Sequence, residues 1–422
     1  MLYRRLLALL FSLLVSLCAQ YPALIRDRAA SAPTAFSPIT DEDFLHVEGA
    51  GLVSARGEQV ILKGVNIGGW LIQETWMCPV EGQDNSWAHM DTLKALEARF
   101  SPEEVRELFD TYMDNWFTEY DLDAIASSGC NSIRVPFWYR NFMTDEYGAW
   151  ITENPDDNPG FQRLDWVIRE AGERGLYVIL DMHGAPGAQS LNHSTGHIGG
   201  NMLYYDGRCQ EAMKALWSAI AERYQKNPVV AAYDIMNEPQ NNNDIHKDDE
   251  RYTSPWVQEA WDMYNDIYRK IVPVIRAADP EHIITLEGIW RVENLPDPKA
   301  EGWTNMMYQM HLYDPLFMFR VLGNSLADYC KKNGVAAYIG EFRTTEAIPY
   351  CNRNGISWST WTYKGASAGI EGWTWIYKDL EKVDPSTDSF SEIKRKWGEL
   401  LRSETFERNW TQYVRIRRGT RL

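Results

Sequence analysis

The sequence predicts an α/β protein built as one (β/α)8 (TIM) barrel. Three observations predict it: eight short apolar runs recur along the chain, longer amphipathic stretches separate them, and a polar, chemistry-bearing residue closes or follows each run. Alternating strand-like and helix-like segments are the pattern of a parallel sheet with crossover helices. Right-handed crossovers place such helices on the outside, so eight units close naturally into a barrel. An open doubly wound sheet is disfavoured, because Gly64-Val-Asn-Ile-Gly-Gly follows the first run without the Gly-x-Gly-x-x-Gly spacing and without a helix behind it.

The strands are expected at residues 60–66, 132–136, 177–181, 230–236, 283–287, 307–310, 336–340 and 357–361. Helical patterns fill residues 162–174, 210–225, 256–278 and 316–332. Ser101-Pro-Glu-Glu104 opens another helix with a capping residue, proline at the first helical position and a glutamate three residues after the cap. The link between the last two strands is short and broken by Pro349 and Gly355, so the seventh outer helix should be short or missing.

Ahead of the barrel, Arg4 and Arg5 precede an apolar stretch at 6–17, the pattern of a secretory signal. It is short for a bilayer span of about 20 residues. The expected organisation is a signal peptide at 1–19, a linker at 20–44, a catalytic domain at 45–405 and a tail at 406–422. The product is expected to be a secreted monomer with no stable membrane anchor.

With 422 residues, 45% of them hydrophobic, the chain has ample material for one large core. Its net charge of −17 and lack of a long basic run argue against nucleic acid. Six cysteines at irregular spacing form neither a disulfide framework nor a zinc pattern. The 18 tryptophans and 22 tyrosines suit either core packing or sugar stacking.

Reactive groups of such barrels gather where strands end. Those ends carry Asn66, Arg134, His183, Asn237 with Glu238, Glu287, His311 with Tyr313, Glu341 and Trp361. Glycosidic cleavage needs one carboxylic acid to protonate the leaving oxygen and a second carboxylate on the opposite face of the sugar. Strands four and seven face each other across the mouth, so Glu238 and Glu341 are the expected pair, roughly 5 Å apart if the reaction retains configuration. Glu341 is then the nucleophile, held ionised by Arg134 and hydrogen-bonded by Tyr313. Glu238 is the acid/base, with a raised pKa. Asn237 is expected to donate to the sugar 2-hydroxyl, and Trp361 to form a stacking floor.

The chain resembles glycoside hydrolase family 5, the cellulase family, and its exo-β-1,3-glucanase-like members in particular. The resemblance is carried by Leu62-Lys-Gly-Val-Asn-Ile-Gly-Gly-Trp70, Ile133-Arg-Val-Pro-Phe137, Leu180-Asp-Met-His-Gly-Ala-Pro-Gly187, Asp234-Ile-Met-Asn-Glu-Pro239, His311-Leu-Tyr313, Ile339-Gly-Glu-Phe342 and Trp358-Ser-Thr-Trp-Thr-Tyr-Lys364. It implies the same catalytic roles for Glu238 and Glu341. It also implies supporting roles for Arg134, His183, Asn237, His311, Tyr313 and Trp361, no metal and no cofactor. Glu74 matches a position where exo-acting relatives hold the terminal sugar. The implied activity is hydrolysis of β-glucosidic bonds in a β-glucan polysaccharide or oligosaccharide. A β-mannanase or other β-glycanase of the family is the alternative, and a non-catalytic carbohydrate-binding barrel is the alternative of another kind. His183, His193 and His197 fall in one Gly-rich stretch and raise a metal-dependent reading. No acidic ligand follows them at helical spacing.

Overall fold

The computed structural model describes residues 36–82 and 86–421. Contacts divide the chain into residues 1–37 and 38–422, and the barrel lies in the second unit. The expected signal peptide and most of the expected linker lie outside the described residues.

Eight parallel strands close the barrel: β1 (Lys63–Asn66), β2 (Ser132–Trp138), β3 (Tyr177–Gly184), β4 (Val230–Asp234), β5 (Ile283–Glu287), β6 (Met306–His311), β7 (Ala336–Glu341) and β8 (Ser357–Thr360). They pair in chain order, and β8 returns to β1 through Ser359 opposite Gly64. Apart from Lys63, every residue of these strands is buried. A parallel sheet covered on both faces reads as continuous apolar runs for this reason.

The outer layer is α1 (His89–Glu97), α2 (Pro102–Trp116), α3 (Glu119–Ser127), α4 (Pro159–Glu173), α5 (Gly207–Tyr224), α6 (Gln258–Ala278), α7 (Pro298–Glu301), α8 (Leu316–Asn333), α9 (Ile348–Arg353), α10 (Phe390–Trp397) and α11 (Trp410–Thr420). The box that opens α2 forms as its sequence requires: Glu104 N–H donates to Ser101 Oγ, and Ser101 N–H donates to Glu104 at 2.9 Å. The seventh outer helix, α9, has six residues. The fifth link is thin as well, with only the four residues of α7, which the pattern around Pro296 and Pro298 does not announce.

The first expected strand is two pieces. Gln59–Val60 belongs to an antiparallel sheet with Leu45–Glu48 and Gly51–Ser54, and only Lys63–Asn66 enters the barrel. Val60, Ile61 and Leu62 keep the apolar run unbroken across the junction, which hides it in sequence. That sheet brings Leu45 and Leu52 against Leu62, Ile179, Ala232 and Tyr338, closing the barrel end opposite the reactive strand ends. Residues 406–422 include α11, whose Gly419 carbonyl accepts from Asn352 Nδ2 at 2.7 Å and whose Thr420 carbonyl accepts from Lys63 Nζ at 3.0 Å. The helix thus covers the flank that α9 is too short to fill. No helix among the described residues is long and apolar enough to cross a membrane.

Candidate active site

Arg134 organises the mouth of the barrel. It rises from β2 with no exposure, and its guanidinium donates to Asp234 Oδ2 at 2.8 Å, Asn66 Oδ1 at 2.9 Å, Glu341 Oε1 at 2.9 Å and Asn237 Oδ1 at 3.0 Å. Asp181 Oδ1 lies 3.0 Å from the same group. One buried cation therefore neutralises part of three buried carboxylates drawn from β3, β4 and β7. Gln309 donates to the other oxygen of Asp234 at 2.6 Å.

Glu341 ends β7 and is 4% exposed. Besides the Arg134 bond to Oε1, Tyr313 donates its hydroxyl to Oε2 at 2.6 Å. Gly340 precedes it because a side chain there would collide with Gln309 Oε1 and crowd His311 Nε2. Glu238 follows β4 with a backbone φ of 39, in the left-handed region. Its Oε1 meets His311 Nδ1 at 3.0 Å and its Oε2 accepts from Asn241 Nδ2 at 2.8 Å. The same imidazole nitrogen is 3.6 Å from Glu341 Oε2. The nearest oxygens of Glu238 and Glu341 can therefore be no further apart than these two distances laid end to end. That ceiling fits the roughly 5 Å separation of a retaining pair and excludes most of the roughly 6.5–9.5 Å range of an inverting one.

The electrostatics around Glu238 run against the sequence expectation of a raised carboxyl. Burial alone would raise the Glu238 carboxyl, but the His311 hydrogen bond and charge, with Asn241, bring it down to about 2. Burial raises Glu341, against the pull of His311 and Arg134. His311 accounts for the difference: burial disfavours its charge, yet Glu287, Glu341 and Glu238 together raise it to about 9. The His311 imidazole thus competes with Glu238 for the proton that acid catalysis needs. Interacting groups this close release protons as a set.

The other expected residues converge on the same mouth. Asn237 Oδ1 is taken by Arg134, which turns Nδ2 toward His183 Nε2 at 3.4 Å and leaves it as a donor. His183 Nδ1 pairs with Asp181 at 2.7 Å, and its ring stacks on Trp361 at 5.3 Å and 9°. Glu74 Oε2 accepts from Trp76 Nε1 at 3.0 Å and lies 3.2 Å from His193 Nε2, while Oε1 is buried with no hydrogen bond among the described residues. Burial raises the Glu74 carboxyl, but His193 outweighs it and holds it low. An aromatic chain, Trp76 to Trp373 to Tyr313, joins Glu74 to the nucleophile side.

Two of the three histidines of the Gly-rich stretch pair with different carboxylates: His183 with Asp181 and His193 with Glu74. Among the described residues, the ligating atoms that gather within 4.8 Å belong to Glu238, Glu287 and His311. Trp138, at the end of β2, is a core residue at 2% exposure whose ring lies tilted against His89. Sequence reasoning passed over Asp181, Asp234, Gln309, Asn241 and Trp373, and gave Glu287 a strand end but no role. Asp181 stands two residues before His183, and Gln309 two before His311. The period-two spacing of a strand puts each pair on one face and was the available signal.

A family model described as cellulase, glycosyl hydrolase family 5, matches residues 90–379, more than half of the chain. A β-xylosidase of Phanerodontia chrysosporium is 27% identical, over 84% of this chain and 78% of that protein. A probable glucan 1,3-β-glucosidase A of Aspergillus fumigatus is 30% identical over 52% of this chain and 48% of its own length, so the chain spans about half the length of that relative. Among solved structures, rutinosidase from Aspergillus niger matches with a TM-score of 0.56 at 16% identity, over 78% of this chain and 92% of that one. An endogalactoceramidase matches at 0.54 and 17% identity, over 84% of each. At such identities these structures bear on the fold alone. The chain belongs to glycosyl hydrolase family 5, the cellulase family, and is a glycosidase that hydrolyses O-glycosyl bonds.

Proposed function

We propose that this chain is a retaining β-glycosidase that cleaves β-glucosidic bonds of a β-glucan or its oligosaccharides by double displacement. Glu341 is the nucleophile and Glu238 the acid/base. The carrying observation is that both carboxyls reach one nitrogen of His311, at 3.6 and 3.0 Å, which caps the gap between them and supports the roughly 5 Å spacing of a retaining pair.

Arg134 and Tyr313 hold the nucleophile in line, one on each oxygen. Asn237 Nδ2 supplies the donor for the sugar 2-hydroxyl, a bond that strengthens as positive charge develops on the ring. Trp361, backed by His183, offers its other face to the apolar side of the sugar. The free oxygen of Glu74 binds hydroxyls of the terminal residue, which favours exo action. The enzyme works as a monomer outside the cell, sent there by the apolar segment at 6–17.

A second reading, a β-xylosidase, is favoured by the relative that spans most of the chain. Turnover of aryl β-glucosides against aryl β-xylosides, followed by product analysis on laminarin, separates the two. Whichever substrate is cut, Glu341→Gln lowers kcat by about 10³-fold or more, and a chelator leaves the wild type unchanged. Near-wild-type turnover by Glu341→Gln overturns the reading.

A further inference from the structure

Glu287 closes β5, beside the strand that leads to Glu238, and none of the roles above uses it. Its side chain is 1% exposed. Oε2 accepts the backbone N–H of Glu238 at 2.6 Å, and Oε1 lies 3.4 Å from His311 Nδ1. The main chain at Glu287 is fixed from α6, where the Tyr268 hydroxyl donates to the Glu287 carbonyl at 3.0 Å and accepts from the Glu287 N–H at 3.2 Å. A third carboxyl is thus buried and anchored, touching both the backbone of the acid/base and that residue's imidazole partner.

Two features of the site need such a group. At φ 39, Glu238 occupies a left-handed backbone region that is strained for a residue with a side chain, so neighbouring structure must hold it there. The half-buried N–H at that bend finds its acceptor in Glu287.

We propose that Glu287 is a positioning residue for the acid/base half of the reaction, fixing the bend at Glu238 through its backbone and, through His311, how firmly the Glu238 proton is kept. This rests on Glu238 being the acid/base. In the first step Glu341 bonds to the anomeric carbon as the glycosidic bond breaks, and the proton that His311 and Glu238 share passes through the Glu238 carboxyl to the leaving oxygen. Glu238 is left ionised beside His311. In the second step water bonds to the anomeric carbon, the bond to Glu341 breaks, and a proton of that water returns to Glu238.

The charged and titratable groups around Glu287 are Glu238 after β4, His311 of β6, Arg134 of β2, and Tyr264 and Tyr268 of α6, with Glu341 of β7 on the far side of His311. Burial lifts the Glu287 carboxyl well above the usual range, His311 pulls it down, and Glu238 lifts it further. Three carboxyls around one imidazole hold a shared proton to higher pH than two would. Removing one lowers the pH at which the last proton leaves.

The test is Glu287→Gln, which keeps an acceptor for the Glu238 N–H but loses the acid function, assayed with two glycosides of the sugar the wild type cleaves. One has an alkyl leaving group that needs protonation, and the other a dinitrophenyl group that does not. Expected is a fall of about tenfold or more in kcat/KM on the alkyl glycoside, with the alkaline limb of its pH profile moved down by about one unit, and little change on the dinitrophenyl glycoside. Equal losses on both substrates, or a pH profile superimposable on that of the wild type, overturn the proposal. Should Glu287→Gln fail to fold, Glu287→Asp is read by the same two substrates and the same criteria. Glu341→Gln is run in parallel: if it stays active the double-displacement reading itself falls, whereas an inactive Glu341→Gln beside an unaffected Glu287→Gln removes only the role of Glu287.

Discussion

At the scale of single residues, the site is a problem in sharing protons and donors among buried carboxyls. Arg134 reaches Asp181, Asp234 and Glu341 at once, so its loss would strand several charges in the core. Tyr313 is a cleaner probe, because its hydroxyl makes one bond, to Glu341 Oε2. Burial and the charge of Glu341 keep that hydroxyl protonated, and hence a donor, throughout the working pH range. Tyr313→Phe is expected to lower kcat about 10- to 100-fold, the value of one hydrogen bond to a charged group, with the thermal midpoint little changed. Steady-state kinetics and calorimetry check it. The residue identities were legible in the sequence because strand ends announce themselves. The protonation pattern was not, since it depends on His311 pointing one nitrogen at three carboxyls that come from β4, β5 and β7. No local spacing encodes that convergence.

At the scale of elements, the ends of β4 and β7 set the geometry. The bond from Glu238 N–H to Glu287 joins the turn after β4 to β5, and Gln309 of β6 packs against Gly340 of β7. A methyl group at Gly340 has no room on that side. Gly340→Ala is expected to cost about 1–3 kcal/mol of stability through overpacking and to reduce kcat about tenfold or more by displacing Glu341, as measured by urea denaturation and initial rates. Strand and helix positions were readable because buried parallel strands are apolar runs and their helices are capped in plain view, as at Ser101. The junction at residues 61–62 was not, because a strand that closes the barrel floor and a strand that enters the wall share one apolar run. The thin seventh layer was visible through Pro349 and Gly355. The helix α11 that compensates for it makes its contacts across more than sixty residues of sequence, to Asn352 and Lys63.

At the scale of the whole molecule, the barrel separates stability from chemistry. The antiparallel sheet around Leu45 and Leu52 seals one end, while the residues assigned a chemical role lie at or beyond the opposite strand ends, except those such as Arg134 that reach the mouth from within a strand. This division explains why fold and site composition could both be read from one chain, while substrate choice, written in loops around a constant frame, rests on proposals. The central claim is that Glu341 attacks the anomeric carbon while Glu238 serves the leaving group. Its most direct test is mass spectrometry of the enzyme after incubation with a 2-deoxy-2-fluoro β-glycoside bearing an activated leaving group, which forms the glycosyl-enzyme but slows its hydrolysis. The account predicts one added sugar, carried on the peptide containing Glu341. A sugar attached to any other residue, or turnover with no covalent adduct at all, would contradict it.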